Sequence, residues 1–78
     1  MTEEEFVAEM KKKFPERVAD YKYIRPRIRD FDDDYLIECF YEAKDYAYKF
    51  ALAHEIQRRM VGEDQRLELL LIVGDYLL

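Results

Sequence analysis

Residues 32–62 read DDDYLIECFYEAKDYAYKFALAHEIQRRMVG, and no other segment of the chain keeps a helical apolar period for so long. Spacings of three and four residues place one apolar stripe on a single helix face. The members of this stripe are Leu36, Phe40, Ala43, Ala47 and Phe50. Aspartates before the stripe favour a helix N-terminus, and Gly62 suits the left-handed conformation that ends a helix. We therefore predict one long helix over about 33–61.

A second apolar stripe lies beside the first on this predicted helix. It consists of Ile37, Tyr41, Tyr48 and Leu52. The two stripes together make an apolar face that is wide enough for two neighbours, one of which can belong to another chain. We therefore include Tyr41, Tyr48 and Leu52 among the predicted partner-contact residues.

The C-terminal segment predicts a third helix, over about 64–78, that is apolar on nearly every side. One face carries Leu67, Leu70 and Leu71, and the other side carries Leu69, Ile72, Val73 and Leu77. A helix that is apolar all round is normally buried all round. We expect this helix to be enclosed by the domain or by a partner.

The N-terminal part of the chain predicts one helix and then an extended connection. Thr2 and Glu5 form a capping box, which begins a helix over about 3–14 that ends before Pro15. In residues 21–31, apolar residues and arginines alternate with a period of two, and Pro26 excludes a central strand. We predict an ordered, extended connection over about 21–31, with isoleucines on the core and arginines pointing outward.

The composition indicates a single all-α domain, residues 1–78, in which half the residues are apolar. A domain of this size buries only about 60% of its unfolded surface and is usually stabilised by disulfides, a metal or oligomerisation. One cysteine and one histidine cannot supply a disulfide or a four-ligand zinc site. We therefore expect protein partners, first among them other copies of the chain in a homo-oligomer.

Charge and hydropathy predict where the protein works. The net charge of −5 opposes nucleic-acid binding, except through a local arginine patch. The acidic N-terminal sequence lacks the basic start of a signal peptide, and the longest apolar run is far shorter than the roughly 20 residues that span a membrane. We expect no membrane binding and a cytoplasmic location, which for a viral chain means the host cytoplasm or the virion.

No residue pattern in the chain is typical of a catalytic, metal or cofactor site. Asp30, Asp32 and Asp34 begin like a calcium loop, but tyrosines stand where that loop needs glycine and glutamate, so helix capping is the preferred interpretation. His54 begins like a metalloprotease helix motif that lacks its second histidine. Cys39 has no activating base nearby in sequence. We expect no enzyme activity, no metal and no cofactor.

Arginine and tyrosine residues are the other candidates for partner contacts. Arg25, Arg27 and Arg29 alternate along the predicted extended segment, so they would point the same way and grip phosphates or a partner's carboxylates. The alternative is that they pair with the aspartates that follow them. Seven tyrosines exceed what so small a core can bury with satisfied hydroxyls, and tyrosine is enriched in protein interfaces. We add Tyr76 to the predicted contact set, with half-buried positions at the core edge as the alternative for the tyrosines.

The stretches DDDYLIECFYEAKDYAYKF (residues 32–50) and LELLLIVGDYL (residues 67–77) resemble the small helical head-to-tail connector proteins of tailed bacteriophages. The resemblance covers roughly residues 32–78. It implies a module of a few packed helices, many copies of which form a ring beneath the portal.

Two function classes follow from these patterns. The first is a non-catalytic structural or interaction protein, such as a phage head-to-tail connector or another assembly component. The second is a small acidic inhibitor or regulator that binds a host enzyme or nucleoprotein complex, with its carboxylates imitating nucleic-acid phosphates. The acids Glu63, Asp64, Glu68 and Asp75 separate the two classes, because an inhibitor would present them on one exposed face.

Overall fold

The computed structural model describes residues 2–62 and 66–77, which form five helices. In chain order these are α1 (Glu3–Lys13), α2 (Pro15–Ile28), α3 (Asp33–Glu42), α4 (Tyr46–Met60) and α5 (Leu67–Leu77). The predicted all-α class is confirmed, but the prediction of three main helices is wrong. None of the helices in the described residues is long and apolar enough to cross a lipid bilayer.

Helix α2 replaces the predicted extended connection over 21–31, which is the first correction. Pro15 lies in the first turn, where its fixed φ and missing N–H favour a helix start. Pro26 has no backbone N–H and so removes one hydrogen bond of the helix. Because Pro26 lies only two residues before the helix end at Ile28, little of the helix follows this lost bond. Tyr21 and Ile28 are buried and Ile24 is partly buried, so the predicted contact of both isoleucines with the core is confirmed. Tyr21, Ile24 and Ile28 are three and four residues apart, which is helical spacing. The alternation of arginines with apolar residues in the same segment concealed this spacing.

The predicted long second helix is two helices, α3 and α4, which is the second correction. Ala43 is extended, with a ψ of 134°, and the Asp45 carboxylate accepts the backbone N–H of Tyr48 at 2.9 Å to cap α4. The apolar stripe continues across the break, because the three connecting residues preserve its spacing. Phe40 and Phe50 are therefore buried on different helices. The spacing predicted the buried residues correctly and the continuity of the helix wrongly.

Three predicted helix ends are confirmed. The Thr2 hydroxyl accepts the N–H of Glu5 at 3.1 Å at the start of α1. At the start of α3, the Asp32 carboxylate accepts the N–H of Tyr35 at 2.8 Å. Gly62 follows α4 with a φ of 90°, in the left-handed region where glycine carries no steric penalty.

Helix α4 lies at the centre of the fold, where it contacts α2, α3 and α5, while α1 packs on α2. The core is apolar and mostly aliphatic, with a cluster of aromatic rings. Its largest fully buried apolar side chains are Tyr21, Phe6, Phe40, Phe50, Ile28, Leu36, Leu52, Ile56, Met60 and Val73. The rings of Phe6 and Phe50 stack with centroids 3.6 Å apart and join α1 to α4.

Helix α5 has a buried side and an exposed side, so the chain itself does not enclose it, and enclosure by a partner stays a prediction. The buried side carries Leu69, Val73 and Leu77. The exposed side carries Leu67, Leu71 and Ile72. The predicted limits of this helix, at 64 and 78, and the acids Glu63 and Asp64 lie outside the described residues.

Candidate protein-interaction site

A cluster of charged side chains, buried at its centre and exposed at its edge, joins α1, α2 and α4. At its centre is Glu55, a side chain with 0% exposure on α4. Its carboxylate accepts hydrogen bonds from Arg25 at 3.1 Å, from Arg59 at 2.8 Å and from Arg58. Arg25 also donates to the Glu3 carboxylate at 3.2 Å. The cluster thus ties three helices together through a single buried carboxylate.

Arg59 extends this cluster to the connection between α2 and α3. Its guanidinium donates to the backbone carbonyls of Phe31 at 2.6 Å and Arg29 at 2.8 Å. It also pairs with the Asp33 carboxylate at 3.1 Å. The donors of Arg59 are therefore used to hold the turn after α2 against α4.

The electrostatics of Glu55 fit a structural role. Burial alone raises the pKa of Glu55, but hydrogen bonds from Arg58, Arg59 and Arg25 outweigh it and lower the pKa to about 2. The carboxyl group is therefore ionised at neutral pH and paired with fixed cations. A carboxylate held in this state does not exchange protons near neutral pH, so the cluster is not arranged for acid–base chemistry.

His54, which is half-buried, and Tyr21, which is buried, each place a buried polar atom near this cluster. His54 Nε2 has no hydrogen-bond partner among the described residues, whereas burial and the nearby Glu3 carboxylate raise the pKa of the Tyr21 hydroxyl. The His54 ring packs edge-on against Phe50, with centroids 4.5 Å apart. Burial lowers the pKa of His54, so its ring is neutral at physiological pH. His54 is thus a packing residue at the edge of the aromatic cluster.

The predicted arginine contacts need correction, because Arg25, Arg27 and Arg29 do not share a face. Alternate residues of a helix are rotated by about 200°, so α2 directs Arg27 away from Arg25, and Arg29 lies beyond the last residue of the helix. Arg25 points inward, with 11% of its side chain exposed, and pairs with glutamates instead of the predicted aspartates. Arg27 is exposed and lies over the Tyr23 ring at 4.2 Å. Arg29 is exposed.

The other predicted contact residues are also dispersed. Leu52 is fully buried in the core, so it offers no contact surface. Tyr48 is half-buried, as is Tyr76, whose ring packs against Phe40 with centroids 5.9 Å apart. Tyr41 is 54% exposed on α3. The structure therefore does not gather the predicted residues into one surface.

A different surface stands out, which we call the outer face of α5. It is formed by Leu67, Glu68, Leu71, Ile72 and Asp75, all of which are exposed. In the part of the chain that the structure describes, the exposed large aliphatic side chains are three of these residues and Val61. The other exposed large apolar side chains there are aromatic. The aliphatic surface is thus concentrated on α5, with Leu71 being 69% exposed.

The sequence contained a signal for this face that the prediction missed. Glu68 and Asp75 are seven residues apart, so they lie on the same side of a helix. Acidic side chains mark the side of a helix that faces water. Leu71 and Ile72 fall between them on that side. If Glu68 and Asp75 had been taken to mark the side of α5 that faces water, Leu71 and Ile72 would have been predicted at the surface.

A groove lies between α1, the start of α2 and the start of α4, and we call it the α1–α2 groove. It has a volume of about 430 Å³. Its lining residues are Phe6, Glu9, Met10, Lys13, Phe14, Arg17 and Tyr46. The Arg17 guanidinium lies 5.6 Å from the centre of the exposed Phe14 ring. The groove therefore combines an apolar floor with two cations, Lys13 and Arg17, and one acid, Glu9.

Comparison with known proteins adds no relative: no family model matches the chain, and no curated protein or solved structure does either. The resemblance to phage connector proteins thus stays a prediction. The surfaces of this chain are therefore what indicates its function.

Proposed function

We propose that this protein is a non-catalytic interaction domain, an assembly component whose copies associate through the outer face of α5. The observation that carries the proposal is the exposure of Leu67, Leu71 and Ile72 on a helix whose opposite side is fully packed. Burying an exposed leucine or isoleucine contributes roughly 1.5–3 kcal/mol. A contact that covers this face therefore has a substantial apolar driving force.

The rest of the fold supports a binding role for this face. The inner side of α5 already contacts α4, so the outer side is not needed to hold the helix in place. An aliphatic patch that the fold does not require is typical of a protein-interaction surface. The resemblance of residues 32–78 to phage head-to-tail connectors supports an assembly component as the specific form of this function.

A second candidate is the acidic regulator that binds a different protein. The exposure of Glu68 and Asp75 on the outer face of α5 favours it. However, Leu71 and Ile72 lie between the two acids, so the face matches an apolar groove with a basic edge better than a row of phosphate sites. A regulator of this kind would dock a helix into a groove.

Light scattering coupled to size-exclusion chromatography tests the proposal over a range of concentrations. The wild-type mass should rise above the 9.6 kDa of one chain as concentration increases. The Leu71→Asp variant should remain monomeric, with a dissociation constant raised about 100-fold, because it places a charge in the apolar contact. Tyr23→Asp, which alters an exposed side chain on α2, is the matched control and should associate like the wild type.

Two results would contradict the proposal. Equal association of Leu71→Asp and wild type would show that the outer face of α5 is not the contact. A wild-type mass of 9.6 kDa at every concentration would exclude self-association, and the regulator function would take its place.

A further inference from the structure

We infer that the outer face of α5 docks into the α1–α2 groove of a second copy of the chain. This inference depends on the proposed function and specifies which surface receives α5. The contact would join two different surfaces, so it is heterologous in the sense used for oligomers.

The charges of the outer face of α5 oppose its pairing with itself. In an antiparallel pair centred on Leu71 and Ile72, Glu68 of one copy would meet Asp75 of the other. In a parallel pair, each acid would meet its own counterpart. Like charges brought together at an interface cost several kcal/mol. The face is therefore not complementary to itself and needs a receiving surface of opposite charge.

The α1–α2 groove supplies that surface. Its floor includes Phe6 and Met10, and Phe14 is exposed at its side, which suits the aliphatic side chains of α5. The lining holds two cations, Lys13 and Arg17, against one acid, Glu9, and these cations can approach the carboxylates that flank Leu71 on α5. Apolar and charged features thus match in type on the two surfaces.

The cations of the groove can change partners at little cost. Lys13 pairs with Glu9 at 3.3 Å and Arg17 with Asp45 at 3.4 Å. All four side chains are about half exposed or more, and exposed pairs of this kind contribute at most about 1 kcal/mol. An arriving carboxylate can therefore share these cations without breaking a strong interaction.

The size of the groove also fits. Its volume of about 430 Å³ leaves room for apolar side chains of a partner to enter. A helix that presents Leu67, Leu71 and Ile72 offers side chains on two successive turns for such a cleft. A dimer would still carry one free groove, on one copy, and one free α5 face, on the other, so further copies can add until the assembly closes.

Mixing two variants tests the heterologous contact directly. Leu71→Asp disables α5 and leaves the groove intact, while the double variant Lys13→Glu with Phe14→Ser disables the groove and leaves α5 intact. Each variant alone should be monomeric. Their equimolar mixture should form a 1:1 dimer of twice 9.6 kDa and no larger species, because only one productive contact remains. The dissociation constant of this dimer should lie within tenfold of the dissociation constant of the wild-type contact.

Mixing Leu71→Asp with Ile72→Asp is the matched control, and it should stay monomeric because neither chain offers an intact α5. Circular dichroism should show the same helical signal for every variant. If the double groove variant does not fold, Lys13→Glu alone replaces it, because Lys13 is exposed.

The outcomes separate this inference from the proposed function. If the groove variant assembles like the wild type, or if the mixture stays monomeric while the wild type assembles, the groove is not the receiving surface. The α5 contact of the proposed function would then still stand. A monomeric wild type would overturn both.

Discussion

The buried face of α4 and the outer face of α5 depart from the usual distribution of residues in opposite ways. Helix α4 places a carboxylate, Glu55, where water does not reach it. Helix α5 places leucine and isoleucine where water does reach them. In the first case the fold itself supplies three arginine partners. On α5, the complementary apolar surface has to come from another molecule, and this difference locates the interaction site.

The largest expected effect comes from breaking the charged cluster on α4. Glu55→Gln should lower the free energy of unfolding by about 3–5 kcal/mol, because it removes the charge that compensates Arg25 and Arg59 in the interior. Urea unfolding followed by circular dichroism measures this change. Glu38→Gln, on the exposed side of α3, is the matched control and should change the free energy by less than about 0.5 kcal/mol. Similar effects of the two substitutions would mean that the cluster contributes little to stability.

Acid should weaken the same cluster. The pKa of Glu55 is lowered from 4.5 to about 2, and a hydrogen bond from Arg25 lowers the pKa of Glu3. A carboxyl group with a lowered pKa in the folded state stabilises the fold above its unfolded pKa, and this stabilisation is lost as pH falls through the folded pKa. The free energy of unfolding should therefore fall as pH decreases from about 4.5 to about 2. Urea unfolding at a series of pH values measures this decline.

Glu55→Gln provides the comparison for this pH series, because it lacks the titrating group. Its free energy of unfolding should change less than that of the wild type between pH 4.5 and pH 2, and equal slopes would contradict the assignment of this change to Glu55.

His54 should affect the free energy of unfolding at higher pH. Because burial lowers its pKa from 6.5, protonation of the unfolded state should already reduce stability as pH falls below about 6.5.

The smallest expected effect comes from comparing substitutions on the two sides of α5. Val73→Ala, on the buried side, should lower the free energy of unfolding by about 2 kcal/mol through lost apolar burial and a new cavity. Leu71→Ala, on the outer face, should change it by less than about 0.5 kcal/mol at concentrations where the protein is monomeric. Thermal unfolding of dilute samples compares the two. A large loss for Leu71→Ala would show that the outer face is packed within the same chain.

The helices were predictable where a local signal fixes an end, and less so where two patterns compete. Thr2, Asp32 and Gly62 each act within one turn of the backbone, and all three ends were predicted. The break between α3 and α4 was missed because apolar spacing continues across it. In α2, alternating arginines and isoleucines gave an apparent period of two that concealed the helical spacing of Tyr21 and Ile28.

The candidate site was less predictable, because it depends on which side of a helix is covered. Arg25 and Leu52 were predicted at the surface, but Arg25 pairs with Glu55 between α2 and α4 and Leu52 is fully buried in the core. Residue type alone could not reveal this, since arginine and leucine both occur in interfaces and in interiors. Glu55 could have been noticed, because Leu52 and Ile56 lie beside it in the apolar stripe of α4.

The sequence by itself determined the all-α class, the capping residues and most of the core, because these depend on local backbone chemistry and on the periodicity of apolar residues. Only the tertiary structure decided how many helices there are and which sides they cover. Packing of α5 on α4 through Val73 leaves Leu71 in water, and packing of α2 on α4 brings Arg25 to Glu55. These outcomes depend on contacts between residues far apart in the chain, which no local pattern specifies.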